Sequence, residues 1–278
     1  MKALWLLIFP AYFNCSVITA QDTLPAPGYG NPKFDKHYFK SILHDGKDLV
    51  LEPSRWKGKS WLTGAALGGV TAISFWQDDH IREIFNRNRN ESMDNVVKYG
   101  TDPFGNIYSF TFLISSYVYG AIAKDYRSKK TAMVTVKALL FSTLITRAAK
   151  FASNRERPYQ DEPAGHSDEY SDPLDTKHGR NDSFFSGHTV TAFTVAAVYT
   201  HEYKEKKWVP YVAYTLAASA GLSRLYLDKH WASDVVVGAI TGYYVGHVIH
   251  KHNNWKVKVI PIGSRNVQGL RFSYEIGK

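Results

Sequence analysis

The chain has 278 residues, with 34 Lys and Arg against 25 Asp and Glu, a formal charge of +9, and one cysteine. This length suits a single domain with a sizeable core. One thiol excludes an intrachain disulfide, and because it lies within the expected signal at residue 15 the mature chain would offer no thiolate to a metal; the scattered basic residues, with no nucleic-acid-binding module among them, exclude nucleic acid as an expected partner.

Met1-Lys2, an apolar run from Ala3 to Phe9 and small residues up to Ala20 read as a secretory signal over residues 1–20. A retained N-terminal anchor is the other reading of the same segment. Cys15 lies inside it, and Tyr12-Phe13-Asn14 before it make a poor lipoprotein signal. The expectation is an exported protein of the periplasm or cell envelope. Residues 21–55, rich in Pro, Gly and charge, predict an extended lead-in.

Apolar runs then predict helices over 61–76, 107–123, 131–151, 187–199, 208–225 and 232–250. A polar helical stretch is expected at 79–97, and Thr101-Asp102-Pro103 marks a break. These make residues 56–252 an all-α domain. At 253–278 the pattern changes to alternation, with Leu270, Phe272, Tyr274 and Ile276 on one side and Gly263-Ser264-Arg265-Asn266 as a turn. That predicts a small C-terminal β-hairpin.

Several apolar runs are shorter than the ~20 residues a membrane span needs, and Lys137 interrupts one. The mean hydropathy is −0.29. The Lys-rich loops at 127–130 and 204–207 would both be cytoplasmic if the helices spanned with the site outside. That topology needs the mature N-terminus inside, against a cleaved signal. An exported globular bundle is the preferred reading, with membrane contact left open.

Three segments carry the chemistry: Lys150-x6-Arg157-Pro158, then Ser186-Gly187-His188, then Ser223-Arg224-x5-His230-x3-Asp234. Arg forks and Lys point charges suit phosphate oxygens. Pro158 biases Arg157 away from helix, so it belongs on a loop that folds back beside Lys150 at a helix end. Ser186 and Gly187 before an apolar run read as a helix start, where free N–H groups and the dipole favour an anion. His230 and Asp234, at i and i+4, are neighbours if that segment is helical.

The spacing resembles the signature of the superfamily joining type 2 phosphatidic acid phosphatases, bacterial non-specific acid phosphatases and vanadium haloperoxidases. The resemblance covers residues 150–234 as motif. It implies a six-helix bundle of the acid phosphatase/haloperoxidase type. It also implies a phosphatase with His230 as nucleophile, Asp234 orienting it and His188 as general acid. Lys150, Arg157, Ser186, Gly187 and Arg224 would hold the phosphate, with no metal and no cofactor. The family's usual Pro-Ser-Gly-His is here Phe185-Ser186-Gly187-His188, which puts the pre-organisation of that loop in doubt without removing a chemical group.

The expected substrate is a phosphomonoester or diphosphate, on a lipid or a small molecule, with vanadate as an inhibitor. Two other functions stand beside it: vanadium-dependent haloperoxidation, and an envelope protein that only binds phosphate headgroups. The carboxylate-bearing loop 158–185 reads equally as a lid and as a plain insertion. His247, His250 and His252 suggest a metal site or, more simply, a basic helix C-terminus. Oligomeric state and physiological substrate are not written in the sequence.

Overall fold

The computed structural model describes residues 31–161, 181–253, 256–264 and 267–275. The expected signal, most of the loop 158–185 and the tip of the C-terminal turn lie outside the described residues. Among these residues the chain forms α1 (Lys36–Leu51), α2 (Gly58–Trp76), α3 (Asp78–Arg87), α4 (Glu91–Val96), α5 (Ile107–Ile122), α6 (Tyr126–Ser153), α7 (Gly187–Glu202), α8 (Trp208–Tyr226) and α9 (Ala232–Asn253). The six expected apolar helices are α2, α5, α6, α7, α8 and α9. The polar stretch divides into α3 and α4, and the break at Thr101-Asp102-Pro103 is a π turn, Val97–Thr101, running into a 3-10 turn, Asp102–Gly105.

The lead-in departs from expectation. Part of the segment read as extended is helix α1, begun by Asp35, whose carboxylate accepts the Tyr38 N–H at 2.9 Å. Its buried face brings Leu49 into a cluster with Val134, Ala138, Val198, Val245, Val248 and Ile249. It also brings Asp45, which meets Lys137 Nζ at 2.9 Å, while Asn253 Oδ1 and Ser41 Oγ each accept from the same ammonium at 2.6 Å. The lysine that breaks the apolar pattern is thus buried among oxygen acceptors. A buried charge is tolerated only when paired and hydrogen-bonded in this way.

α7 is the most buried helix of this unit, and α9 lies against it at very short range. A Cβ on Gly242 would sit 2.5 Å from Val190 O, one on Gly246 2.8 Å from Ala197 Cβ, and one on Gly238 2.9 Å from Ser186 O. The 238, 242, 246 spacing places these glycines one above another, so the two backbones approach where a side chain would part them. Further clusters pair α7 with α5 and α6 through Leu113, Leu139 and Val195, and with α8 through Ala192, Ala217 and Ala220.

The strands Lys256–Ser264 and Val267–Glu275 form a separate unit and pair antiparallel, from Lys256 opposite Glu275 to Ser264 opposite Val267.

Candidate active site

α6 ends at Ser153, and Asn154 turns the chain with φ 46°, leaving Lys150 in the last helical turn. The following loop doubles back, and the Ser183 N–H donates to Arg155 O at 2.9 Å. Lys150 Nζ donates to the carbonyl of Asp182, and Arg157 Nε to the carboxylate of the same residue at 3.0 Å. Two cations of the expected cradle therefore meet on Asp182.

Ser186 caps α7: its hydroxyl accepts the Thr189 N–H at 3.3 Å, and its own N–H donates to Asp234 O at 3.1 Å. A Cβ on Gly187 would meet nothing nearer than Thr146 Cγ2 at 3.9 Å, so the first turn of α7 is open. Phe185 is buried and packs edge-on against Phe184 at 5.5 Å. Packing thus restrains the loop at the position where proline is absent. His188, in the first turn, has Nε2 3.1 Å from Asn106 Nδ2, and a Cβ on Gly105 would lie 2.6 Å from His188 Cβ. Only glycine lets that turn back so closely onto the imidazole.

Arg224, in the last turn of α8, gives Nη1 to Asp102 Oδ1 at 2.7 Å, and Ser223 Oγ donates to the same oxygen at 2.9 Å. Arg224 Nε is buried with no hydrogen-bond partner among the described residues. Burial raises the Asp102 carboxyl, but Arg224, His188 and Ser223 outweigh it and hold the group below its usual range.

His230 precedes α9 rather than sharing a helix face with Asp234, as the i, i+4 spacing suggested. The reason is a cap: Asp234, in the first turn of α9, reaches back to the Trp231 N–H at 3.1 Å, so the helix starts after the histidine. His230 Nδ1 stands 3.5 Å from Asp234 Oδ2 and is buried with no hydrogen-bond partner among the described residues. The carboxylate is wholly buried and also accepts from Ser183 Oγ and from Arg155 Nη1, the latter at 2.9 Å.

Burial, then Lys150, Arg157, Arg224 and His188, hold the His230 imidazole well below its ordinary pKa. Burial and Arg224 push His188 down to about 3, against the pull of Asp102. Both rings are therefore neutral at pH 7. The structure brings all eight expected residues to the meeting of four helix ends. The N-termini of α7 and α9 point positive dipole ends at the site, and Lys150 and Arg224 offset the negative ends of α6 and α8.

Sequence reasoning missed Asp78, Asp102, Asn106, Arg155, Asp182 and Ser183. Arg155 sits within the Lys150-x6-Arg157 spacer, and Asp102 sits in what read as a break; neither position carries a sequence signal of its own. The histidines of α9 are engaged elsewhere: His247 Nδ1 lies 3.0 Å from His201 Nε2, and His250 Nε2 lies 3.0 Å from Glu202 Oε2.

The described helical domain gathers these basic residues and two histidines at helix ends, the arrangement that the resemblance implies. Residues 131–258 match the model of the PAP2 superfamily. A 67-residue stretch is 43% identical to a lipid A 1-phosphatase of Porphyromonas gingivalis, covering 24% of this chain and 15% of the relative. A 147-residue stretch is 27% identical to a lipid A 4'-phosphatase of the same organism, covering 51% of this chain and 61% of that one. The chain thus spans less than two thirds of the length of either relative.

Among solved structures, LpxE of Aquifex aeolicus aligns with TM-score 0.46 and 23% identity, over 63% of this chain and 94% of that one. A transmembrane PAP2-type phosphatidylglycerolphosphate phosphatase of Bacillus subtilis aligns with TM-score 0.49 and 20% identity, over 68% and 92%.

Proposed function

We propose that the protein is a metal-independent phosphatase that removes a phosphoryl group from a lipid-linked phosphate through a phosphohistidine at His230. The observation that carries this is the buried Arg224 Nε, without a partner among the described residues, beside a neutral His230 and within a group of cations that all act on that imidazole. Buried donors are ordinarily satisfied, and a phosphate oxygen is the partner that suits a guanidinium N–H.

In the first step the free imidazole nitrogen of His230 attacks phosphorus. The P–O bond to the leaving group breaks, and the protonated ring of His188 gives its proton to the departing alkoxide. In the second step neutral His188 takes a proton from water, the new oxygen bonds to phosphorus, and the P–N bond breaks to restore His230. Lys150, Arg157, Arg224 and the N–H groups at the start of α7 hold the phosphoryl oxygens throughout. His188 is neutral before binding, so the phosphate dianion itself must raise its proton affinity. Substrate binding thus arms the acid.

The named relatives act on lipid A, and a lipid A phosphate is the proposed substrate. Its support within this chain is a set of exposed apolar side chains on two helices. Trp61, Leu62, Ile73 and Trp76 on α2, and Ile107, Phe110 and Ile114 on α5, are all exposed. Exposed apolar faces of this kind suit contact with acyl chains. Two helical stretches, Tyr126–Gln160 and Ala232–Asn253, are long and apolar enough to cross a membrane. A membrane-associated enzyme of the cell envelope follows, with vanadate as an inhibitor because it mimics the five-coordinate phosphoryl state.

The test is phosphate release from lipid A and from a small chromogenic ester by the full chain in chelator, with His230→Ala as control. Release lost in the variant and retained in chelator supports the mechanism. Release unaffected by the substitution, or abolished by chelator, overturns it.

A further inference from the structure

A layer of groups stands behind Asp234 that none of the expected motif positions includes. Asp78, at the start of α3, is 4% exposed and accepts from the Ser233 N–H at 2.8 Å, from Ser233 Oγ at 2.6 Å and from Arg155 Nη2 at 2.6 Å. Arg155 Nη1 in turn donates to Asp234 Oδ1 at 2.9 Å and to Ser233 Oγ at 2.7 Å. The guanidinium lies 4.9 Å from the Phe75 ring centroid and 5.3 Å from that of Trp231, the neighbour of His230.

We infer that Asp78 and Arg155 are positioning residues for the reaction: together they lock the rotation of Asp234 and keep its negative charge available to His230. This rests on the phosphohistidine reading above. Oδ1 of Asp234 is tied to Arg155, and Oδ2 to Ser183 and the Trp231 N–H, so the carboxylate cannot turn away from Nδ1 of His230.

Charge explains why a carboxylate stands behind the arginine. One guanidinium alone would neutralise Asp234. Shared between two carboxylates, it leaves the three groups with one net negative charge. The cations around His230 disfavour a positive ring, yet transfer of phosphoryl to one nitrogen makes the ring an imidazolium. The surplus charge of the Asp78–Arg155–Asp234 group faces that imidazolium and stabilises it. The aromatic rings hold the guanidinium plane in place, which an ammonium on a flexible stem would not reproduce.

Asp78→Asn and Arg155→Lys in the full chain test this with a small chromogenic phosphomonoester, vanadate inhibition and thermal unfolding. The expected result is a fall in kcat of about 10–100-fold, the scale of other outer-shell partners. KM and the vanadate inhibition constant should stay within about twofold, because the cradle is untouched. Asp78→Glu should recover part of the rate. If Asp78→Asn fails to fold, Arg155→Lys carries the same comparison.

A lowered melting temperature with unchanged kcat in the folded variant would assign the network to stability alone and overturn the inference. A proportional loss of KM and vanadate affinity in Arg155→Lys would make Arg155 a direct phosphate contact, which overturns it as well. His230→Ala, run in parallel, reports separately on the phosphohistidine reading.

Discussion

At the level of single residues, the site is a contest between cations and the groups that occupy them. Asp182 holds Arg157 at 3.0 Å and takes the Lys150 ammonium on its carbonyl. On the proposed reading, a phosphate entering the cradle has to displace that carboxylate from a partly exposed ion pair, of a kind worth about 0.2–1 kcal/mol. Asp182→Asn should therefore lower the vanadate inhibition constant by up to about fivefold. An unchanged constant would mean that phosphate never contacts Arg157. Arg224 offers the opposite case, because its Nε has no partner among the described residues and its Nη1 is held by Asp102. Arg224→Lys keeps the charge but removes the fork, and should weaken vanadate binding by about tenfold or more, roughly the loss of one charge-assisted hydrogen bond.

Among the elements, the α7–α9 contact decides the geometry of the site, since α7 carries Ser186 and His188 at its start and α9 carries Asp234. Gly242 is its tightest point, with Val190 O 2.5 Å from a built Cβ. Gly242→Ala forces backbone apart rather than a flexible side chain, and should cost about 1–3 kcal/mol, read from denaturant midpoints. Activity should fall further than stability, because the shift moves His188 against Asp234. The second tie is α1 to α6 and α9 through Lys137. Lys137→Met leaves Asp45 buried without its cation, at an expected cost of about 3–5 kcal/mol. Adding Asp45→Leu should restore much of that loss, and no recovery would show that the pair is not what the substitution disturbs.

For the whole molecule, buried neutral histidines make stability depend on pH. Burial and Arg224 lower His188 to about 3 from 6.5, burial and neighbouring histidines lower His201 to about 4, and His230 lies well below 6.5. The unfolded chain binds these protons as pH falls through about 6.5 while the folded chain does not. Stability is therefore full above pH 6.5 and declines toward pH 3–4, each histidine adding a slope of about 1.4 kcal/mol per pH unit. Melting temperatures from pH 8 to pH 4 should fall. His201→Asn should flatten the slope, provided the neutral amide keeps the contact with His247 Nδ1. Vanadate should flatten the part of this slope that His188 and His230 contribute, because a bound dianion raises their proton affinity in the folded state.

The residue types and spacing of the three motifs, the six apolar helices and the fold-back at Arg157 were legible in the chain, because each rests on local rules of periodicity, proline and helix capping. Helix α1 was not, since its charges disguise a narrow apolar face that only α6 and α9 complete. The partners of the motif residues were not legible either. Asp78, Asp102 and Asn106 lie far from them in sequence, and nothing in a local pattern says which carboxylate will meet which arginine. Even the His230–Asp234 pair, adjacent by spacing, takes its geometry from a cap and from Arg155. The sequence by itself determined which chemical groups are present and in what order; the tertiary structure alone decided which charges are paired, which are left free and which histidines stay neutral. The reason is that pairing and burial are set by distances between segments, and those exist only once the helices have packed.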